Sequence, residues 1–259
     1  MTKHIPRKRF GQHFLIDQSI IRHILQVANL KKQDNVIEIG PGLGALTHPL
    51  LEVLDRLTIV ELDRDLISYW QKQTDYSNRL SIVEGDVLKV DFNQFAKGFR
   101  LFGNLPYNIS TPLLFHLNHS ATLWHDAHFM LQKEVIDRLT ALPNSSDYGR
   151  LTVMMSYRYY IEHLFDVPPE SFDPPPKVMS AIVRLIPKPA SLLTAKNESH
   201  FAKLVMAAFS QKRKMLRSTL KNWINAEQWS ELSINPERRA ETLSLEEFVR
   251  LSNYLSDIS

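Results

Sequence analysis

The sequence predicts an α/β protein: a doubly wound sheet followed by a small all-helical C-terminal domain. Three observations carry that expectation. Short apolar runs alternate with helical patterns as far as Pro187, the signature of parallel strands joined by crossover helices. Glycine is scarce, eight in 259 residues, and most of it falls where those strands end. After Pro189 no strand pattern returns.

Strands are expected at Asn35–Ile39, Leu57–Glu61, Leu80–Glu84, Arg100–Phe102, Ala127–Leu131, Tyr160–Val167 and Ala181–Ile186. Helices are expected between them at Ser19–Ala28, Leu46–Leu54, Arg64–Lys72, Thr111–Leu117, Glu134–Ala141 and Leu151–Tyr157. Seven of the fourteen prolines lie between Pro168 and Pro189. Proline fixes φ and removes a backbone donor, so this stretch is expected to be a stiff, non-helical arm. Beyond it, Ser199–Phe209, Met215–Ile224, Ala226–Leu232 and Leu245–Leu255 carry helical periodicity. The expected division is therefore 1–187 for a catalytic domain with a basic N-terminal arm and 188–259 for a helical one.

Charge is distributed unevenly. Residues 1–32 carry seven Lys/Arg against one acid, residues 33–187 thirteen against nineteen, and residues 188–259 eleven against eight. Basic ends around an acidic middle suit a polyanionic partner that touches both ends. The absence of cysteine excludes disulfides, thiolate metal sites and cysteine nucleophiles. The N-terminus lacks an apolar signal-like stretch and no run is long enough to span a membrane, so a cytoplasmic location is expected.

The run Val-Ile-Glu-Ile-Gly-Pro-Gly-Leu-Gly (36–44) ends the first expected strand and opens a helix, the setting in which a glycine turn lets backbone approach a nucleotide-like ligand. Glu61 ends the second strand, where a carboxylate can accept from two ribose hydroxyls. Asp86, after Gly85 at the end of the third, can accept from an adenine amino group. No phosphate-binding lysine follows the turn, and an acidic middle suits a cationic sulfonium better than a pyrophosphate. No metal is expected.

After the fourth strand comes Gly103-Asn104-Leu105-Pro106-Tyr107. An adenine N6 amino group is a poor nucleophile because its lone pair is delocalised into the ring. Asn104 Oδ1 and the Leu105 carbonyl can accept its two hydrogens and favour a pyramidal nitrogen. Pro106 stiffens the turn, and Tyr107 can stack on an extruded base. Phe172, inside the proline arm, is a candidate for the base's opposite face.

These segments, with Arg-Lys-Arg-Phe-Gly-Gln-His-Phe-Leu (7–15), Glu-Leu-Asp-Arg-Asp (61–65), Phe-Met-Leu-Gln-Lys-Glu-Val (129–135), Phe-Asp-Pro-Pro-Pro-Lys-Val (172–178) and Ala-Phe-Ser-Gln-Lys-Arg-Lys (208–214), closely resemble the bacterial small-subunit ribosomal RNA adenine N6,N6-dimethyltransferases. The resemblance runs through nearly the whole chain. It implies a Rossmann-like methyltransferase sheet, S-adenosyl-L-methionine as cofactor, and transfer of two methyl groups to each of two adjacent adenosines near the 3′ end of 16S rRNA. It implies cofactor contacts at His13, Leu15, Gly40, Glu61, Asp86 and Asn104. Some members carry Asn where this chain has His13. The expected partner is 16S rRNA within a small-subunit precursor, met by a monomeric enzyme.

No acid occurs between Ser199 and Ala226, while Lys203, Lys212, Arg213, Lys214, Arg217 and Lys221 do. On a helix, Arg213, Arg217 and Lys221 would share a face. With Arg7, Lys8 and Arg9, the residues Lys212, Arg213, Lys214, Arg217 and Lys221 are the expected RNA contacts. Two rivals are an RNA-binding assembly factor with secondary catalysis and a large-subunit rRNA adenine methyltransferase. The intact Gly40, Glu61, Asp86 and Asn104 argue for a working enzyme. The proline arm and the Gln-Lys-Arg-Lys segment favour the small-subunit branch.

Overall fold

A computed structural model of the chain describes residues 13–258. In sequence order, β1 (Phe14–Leu15) and α1 (Gln18–Ala28) precede an alternation of β2 (Val36–Ile39), α2 (Thr47–Val53), β3 (Leu57–Glu61), α3 (Arg64–Gln71) and β4 (Leu80–Glu84). Then come β5 (Phe99–Asn104), α4 (Tyr107–Leu117), β6 (Trp124–Gln132), α5 (Lys133–Leu139), α6 (Arg150–Arg158), β7 (Tyr159–Val167), β8 (Phe172–Asp173) and β9 (Ser180–Pro187). Four α-helices follow: α7 (Glu198–Ala208), α8 (Leu216–Thr219), α9 (Ala226–Leu232) and α10 (Leu245–Asp257).

Seven strands form one sheet in the order β4-β3-β2-β5-β6-β9-β7. The ladders from β4 to β6 are parallel, and β9 runs antiparallel to β6. The central β2 is buried throughout, an unbroken Val-Ile-Glu-Ile, which is how strands covered on both faces read. All seven expected strands are present, with bounds shifted by up to three residues. A second sheet of two short strands pairs Phe14 with Asp173 and Leu15 with Phe172, and the sequence does not announce it.

The chain divides into two compact units. The first joins residues 13–136 to Ile161–Pro187, and the second joins Asp137–Tyr160 to the C-terminal helices from Lys188. The expected division at 187/188 is therefore incomplete, because the stretch containing α6 belongs with the helices. Its apolar side chains Val153 and Tyr157 pack in one cluster with Phe201, Leu204, Leu216 and Phe248. The helices start where their caps dictate: Asp17 accepts from Ser19 and Ile20, Asp63 from Asp65, and capping boxes open α9 and α10.

One expected helix is corrected. Within Met215–Ile224 only Leu216–Thr219 is α-helical. Met215 is extended and bridges Arg239, while the amides of Leu216 and Arg217 bond the carbonyls of Arg238 and Pro236. An extended residue cannot carry a helix through it, so Lys212, Arg213 and Lys214 lie in a turn and Arg213 shares no helix face with Arg217.

Candidate functional site

The parallel strands β2, β3, β4 and β5 all end on one side of the sheet, where backbone amides are left without ladder partners and ligands bind in doubly wound folds. A crevice of about 620 Å³ opens there. Its wall is built by the glycine turn after β2, Glu61 at the end of β3, Gly85 and Asp86 after β4, and the run from Asn104, which ends β5, to Ile109. His13, Leu15 and Ile16 close it from the N-terminal side.

The turn needs its glycines. Gly40, Gly42 and Gly44 have φ of 67°, 55° and 95°, a region that side-chain-bearing residues rarely adopt. A Cβ on Gly44 would fall 2.5 Å from the His48 ring, whereas one on Gly40 or Gly85 would meet nothing within 4 Å. Gly40 and Gly85 thus leave open room on the crevice side for a ligand to reach the backbone.

Of the carboxylates that line this space, Glu61, Asp86 and Glu38 have different environments. Glu61 Oε1 accepts from the amides of Leu62 and Asp63, both at 2.7 Å. Burial nevertheless raises its pKa, against the pull of those amides. Asp86 Oδ1 caps the next turn by accepting from Leu88 N at 3.0 Å. Glu38, in the middle of β2, lines the crevice at 2% exposure, and its Oε2 has no hydrogen-bond partner among the described residues. Burial, with the neighbouring Glu61 adding to it, pushes its pKa up to about 8. Glu38 lies inside the Glu-Ile-Gly motif, yet sequence reading assigned it no part; its burial in mid-strand is a tertiary fact.

The Asn-Leu-Pro-Tyr segment is pinned from several sides. Asn104 Nδ2 donates to the His13 carbonyl at 3.0 Å. A carbonyl only accepts, so the nitrogen end of the amide is fixed on His13 and Oδ1 is turned elsewhere. Leu105 N bonds Met130 O at 3.2 Å, and its side chain is buried. Pro106 precedes α4 and its carbonyl accepts from Ile109 N and Ser110 Oγ. Tyr107, the first residue of α4, shares a hydrogen bond of 3.1 Å with Ser180 Oγ and stacks on the His13 ring at 5.7 Å. His13 Nδ1 donates in turn to Pro174 O at 2.7 Å. The crevice thus brings together His13, Leu15, Gly40, Glu61, Asp86, Asn104, Leu105, Pro106 and Tyr107.

Phe172 is not among them. At 3% exposure it packs with Leu15, Ile21, Met130 and Ile182 in the apolar cluster of the first unit. The structure does not bring Phe172 into the crevice, where a base-stacking ring was expected: as a β8 residue paired with Leu15 it packs in the core. Of the expected RNA contacts, Arg7, Lys8 and Arg9 lie outside the described residues. Lys212, Arg213, Lys214, Arg217 and Lys221 are exposed in the second unit. Lys212 reaches the Ser146 carbonyl at 3.4 Å, and Arg217 stands 3.5 Å from Glu237.

The sheet order, with its reversed β9, and a crevice lined by a glycine turn and carboxylates are those of a Rossmann-like methyltransferase. Comparison with known proteins narrows the class. The model of the family "Ribosomal RNA adenine dimethylase" matches residues 3–257, and the chain belongs to that family. It is accordingly an S-adenosylmethionine-dependent enzyme. Among its relatives, the protein named ribosomal RNA small subunit methyltransferase A from Dechloromonas aromatica is 54% identical over 256 residues, covering 99% of this chain and 100% of that one. The protein of the same name from Laribacter hongkongensis is 54% identical over 255 residues, covering 98% and 97%. The crystal structure of a dimethyladenosine transferase from Plasmodium falciparum is 32% identical with a TM-score of 0.79, over 92% of this chain and 96% of that one.

Proposed function

We propose that this protein methylates the N6 amino groups of two adjacent adenosines near the 3′ end of 16S rRNA, two methyl groups on each, within a precursor of the small ribosomal subunit. The observation that carries the reading is the fixed orientation of Asn104. With its Nδ2 held by the His13 carbonyl, its Oδ1 is left as an acceptor at the crevice, the group needed to orient an amino substrate. The small-subunit target is supported by the names of the relatives above, which share about half of their residues with this chain end to end.

The crevice fits the cofactor. Gly40 and Gly85 leave space for its nucleoside, Glu61 and Asp86 offer carboxylates to hydroxyl and amino groups, and Leu15 supplies an apolar wall. A cation bound beside Glu38 would offset the burial and the Glu61 charge that raise its pKa. We assign His13, Leu15, Gly40, Glu61, Asp86 and Asn104 to cofactor contact. When bound, the cofactor supplies an electrophilic methyl on a sulfonium sulfur. The protein's own groups do the rest. Asn104 Oδ1 and the Leu105 carbonyl accept the N6 hydrogens and aim the nitrogen. Pro106 keeps those acceptors in place, and the ring of Tyr107, backed by His13 and tied to Ser180, forms a platform for the base. Such preorganisation acts at the transition state, and the proton that N6 loses on each transfer leaves to solvent at the open crevice.

Arg7, Lys8, Arg9, Lys212, Arg213, Lys214, Arg217 and Lys221 are assigned to phosphate contact in the RNA, with the enzyme acting as a cytoplasmic monomer. The test is methyl transfer to undermethylated small subunits, with the modified nucleotides identified by mass spectrometry. Dimethyladenosine at two neighbouring positions is expected. Asn104→Ala should lose most of the rate while keeping RNA affinity. Near-normal turnover in that variant, or methylation of large-subunit RNA instead, overturns the reading.

A further inference from the structure

We propose that Trp70 is a positioning residue for the cofactor: its indole N–H, acting through the Gly42 carbonyl, holds the glycine turn in the shape that accepts the ligand. The inference rests on the assignment of that turn to cofactor binding.

Three positive-φ glycines within five residues make a backbone that is costly to order, since glycine loses the most conformational freedom on folding. Inside the turn, only Gly44 N to Pro41 O at 2.9 Å and His48 N to Gly44 O at 3.1 Å tie the backbone to itself. Its middle residue is held from outside. Trp70, on α3, donates Nε1–H to Gly42 O at 3.1 Å. The same indole, with the His48 ring, fills the volume that a side chain on Gly44 would need, the two lying 2.8 and 2.5 Å from its would-be Cβ. His48 is steadied in turn by a hydrogen bond of 3.2 Å between its Nδ1 and the Tyr76 hydroxyl. On the other side of Gly42, the Phe14 ring stands 3.1 Å from where a Cβ would be. The turn is thus clamped between β1 and α3.

Trp70 does not itself line the crevice and is only 1% exposed. It packs in the apolar cluster of the first unit with Leu46, Leu50 and Leu51, which alone would make it a core residue. What separates it from its core neighbours is the end point of its polar atom, a carbonyl in the crevice wall. A tryptophan in the second half of α3 carries no sequence signal for this, because its partner lies 28 residues away and the contact exists only after α3 packs on the sheet.

The test uses the full-length protein and S-adenosylhomocysteine as a chemically stable probe, with calorimetry for affinity and deuterium exchange for the amides of residues 42–45. Trp70→Phe keeps an aromatic ring in the core and removes the donor. Its Kd should rise about three- to ten-fold, the range expected for one neutral hydrogen bond. Exchange at 42–45 should quicken, and KM for the methyl donor should rise while kcat at saturation stays within about two-fold. Tyr76→Phe, which keeps the ring that packs against this cluster and removes only the hydroxyl bonded to His48, should move affinity and exchange in the same direction by less. An unchanged Kd with unchanged exchange in Trp70→Phe overturns the proposal even if its melting temperature falls. Should that variant fail to fold, the same null result in Tyr76→Phe overturns it. A wild-type protein that does not bind the probe refutes the cofactor assignment itself, and this proposal with it.

Discussion

At Glu38 the protein keeps a carboxyl group where a charge is expensive and pairs it with no base. Its pKa, raised to about 8 from the ordinary 4.5, has a stability consequence with a definite sign. Below pH 4.5 folded and unfolded chains both carry the proton. Between 4.5 and about 8 the unfolded chain releases it while the folded protein retains it, so the stability this group contributes is lost as pH rises through that window. Glu38→Gln should therefore flatten the fall in melting temperature between pH 5 and 8.5 in the ligand-free protein, and scanning calorimetry across that range checks it. An identical slope in wild type and variant would count against the buried acid. Asp86→Ala addresses the other carboxylate: cofactor affinity should fall about tenfold or more, since a charge-assisted hydrogen bond contributes roughly 1.5–3 kcal/mol. Unchanged affinity by calorimetry would remove Asp86 from the site. Asn104, Glu61 and Asp86 were legible because each closes a strand in a recognisable order. Glu38 and Trp70 were not, because what singles them out is burial and a distant partner.

At the scale of elements, the seven strands were readable from apolar runs and their terminal glycines, while β1 and β8 were not. Two residues each give no periodicity, and their pairing spans most of the first unit. That pairing also sets the place of Phe172: a phenylalanine in a proline arm looks displayed, but the ladder to Leu15 turns it inward. Phe172→Ala should cost about 3–5 kcal/mol of stability, as deletion of a buried aromatic does. The thermal unfolding temperature should drop sharply, and a small drop with a large loss of RNA methylation would restore the stacking role. The same limitation hid a charge network at the opposite ends of β5 and β6. Asp126, fully buried, accepts from Arg100 at 2.7 and 2.9 Å and from Arg184 at 3.1 Å, while Arg100 also reaches Asp34 and the Ala28 carbonyl. Arg100 and Asp126 lie at or just before the strands expected from sequence, where isolated charges read as solvated ends.

For the whole molecule, the division of labour expected from charge becomes a question about the second unit. Lys212, Arg213 and Lys214 sit in an exposed turn, remote in sequence from every residue of the crevice. Replacing all three with Ala should leave cofactor affinity intact and raise the Kd for RNA or the small subunit. The log–log salt dependence should flatten by roughly 2 to 3, because each lost phosphate contact removes about 0.7–0.9. Filter binding across a salt series reads both. Wild-type affinity and slope would make the cluster a solvated turn and move the search to Arg7, Lys8 and Arg9. The helical unit itself was legible as helices, but its membership was not. α6 lies before the last strands in sequence and joins the unit through Val153 and Tyr157, side chains whose periodicity names a helix and not its neighbours.

The little β1–β8 ladder also sets a timetable. Phe14 and Leu15 help to wall the crevice, yet their sheet partners Asp173 and Phe172 are made about 160 residues later. At roughly 5–20 residues per second, the ribosome needs about 8 to 30 s to close that gap. Until then β1 lacks the strand that it pairs with in the finished fold. An enzyme that modifies ribosomal RNA is thus unable to complete its own cofactor site until the ribosome has synthesised the arm that fastens it.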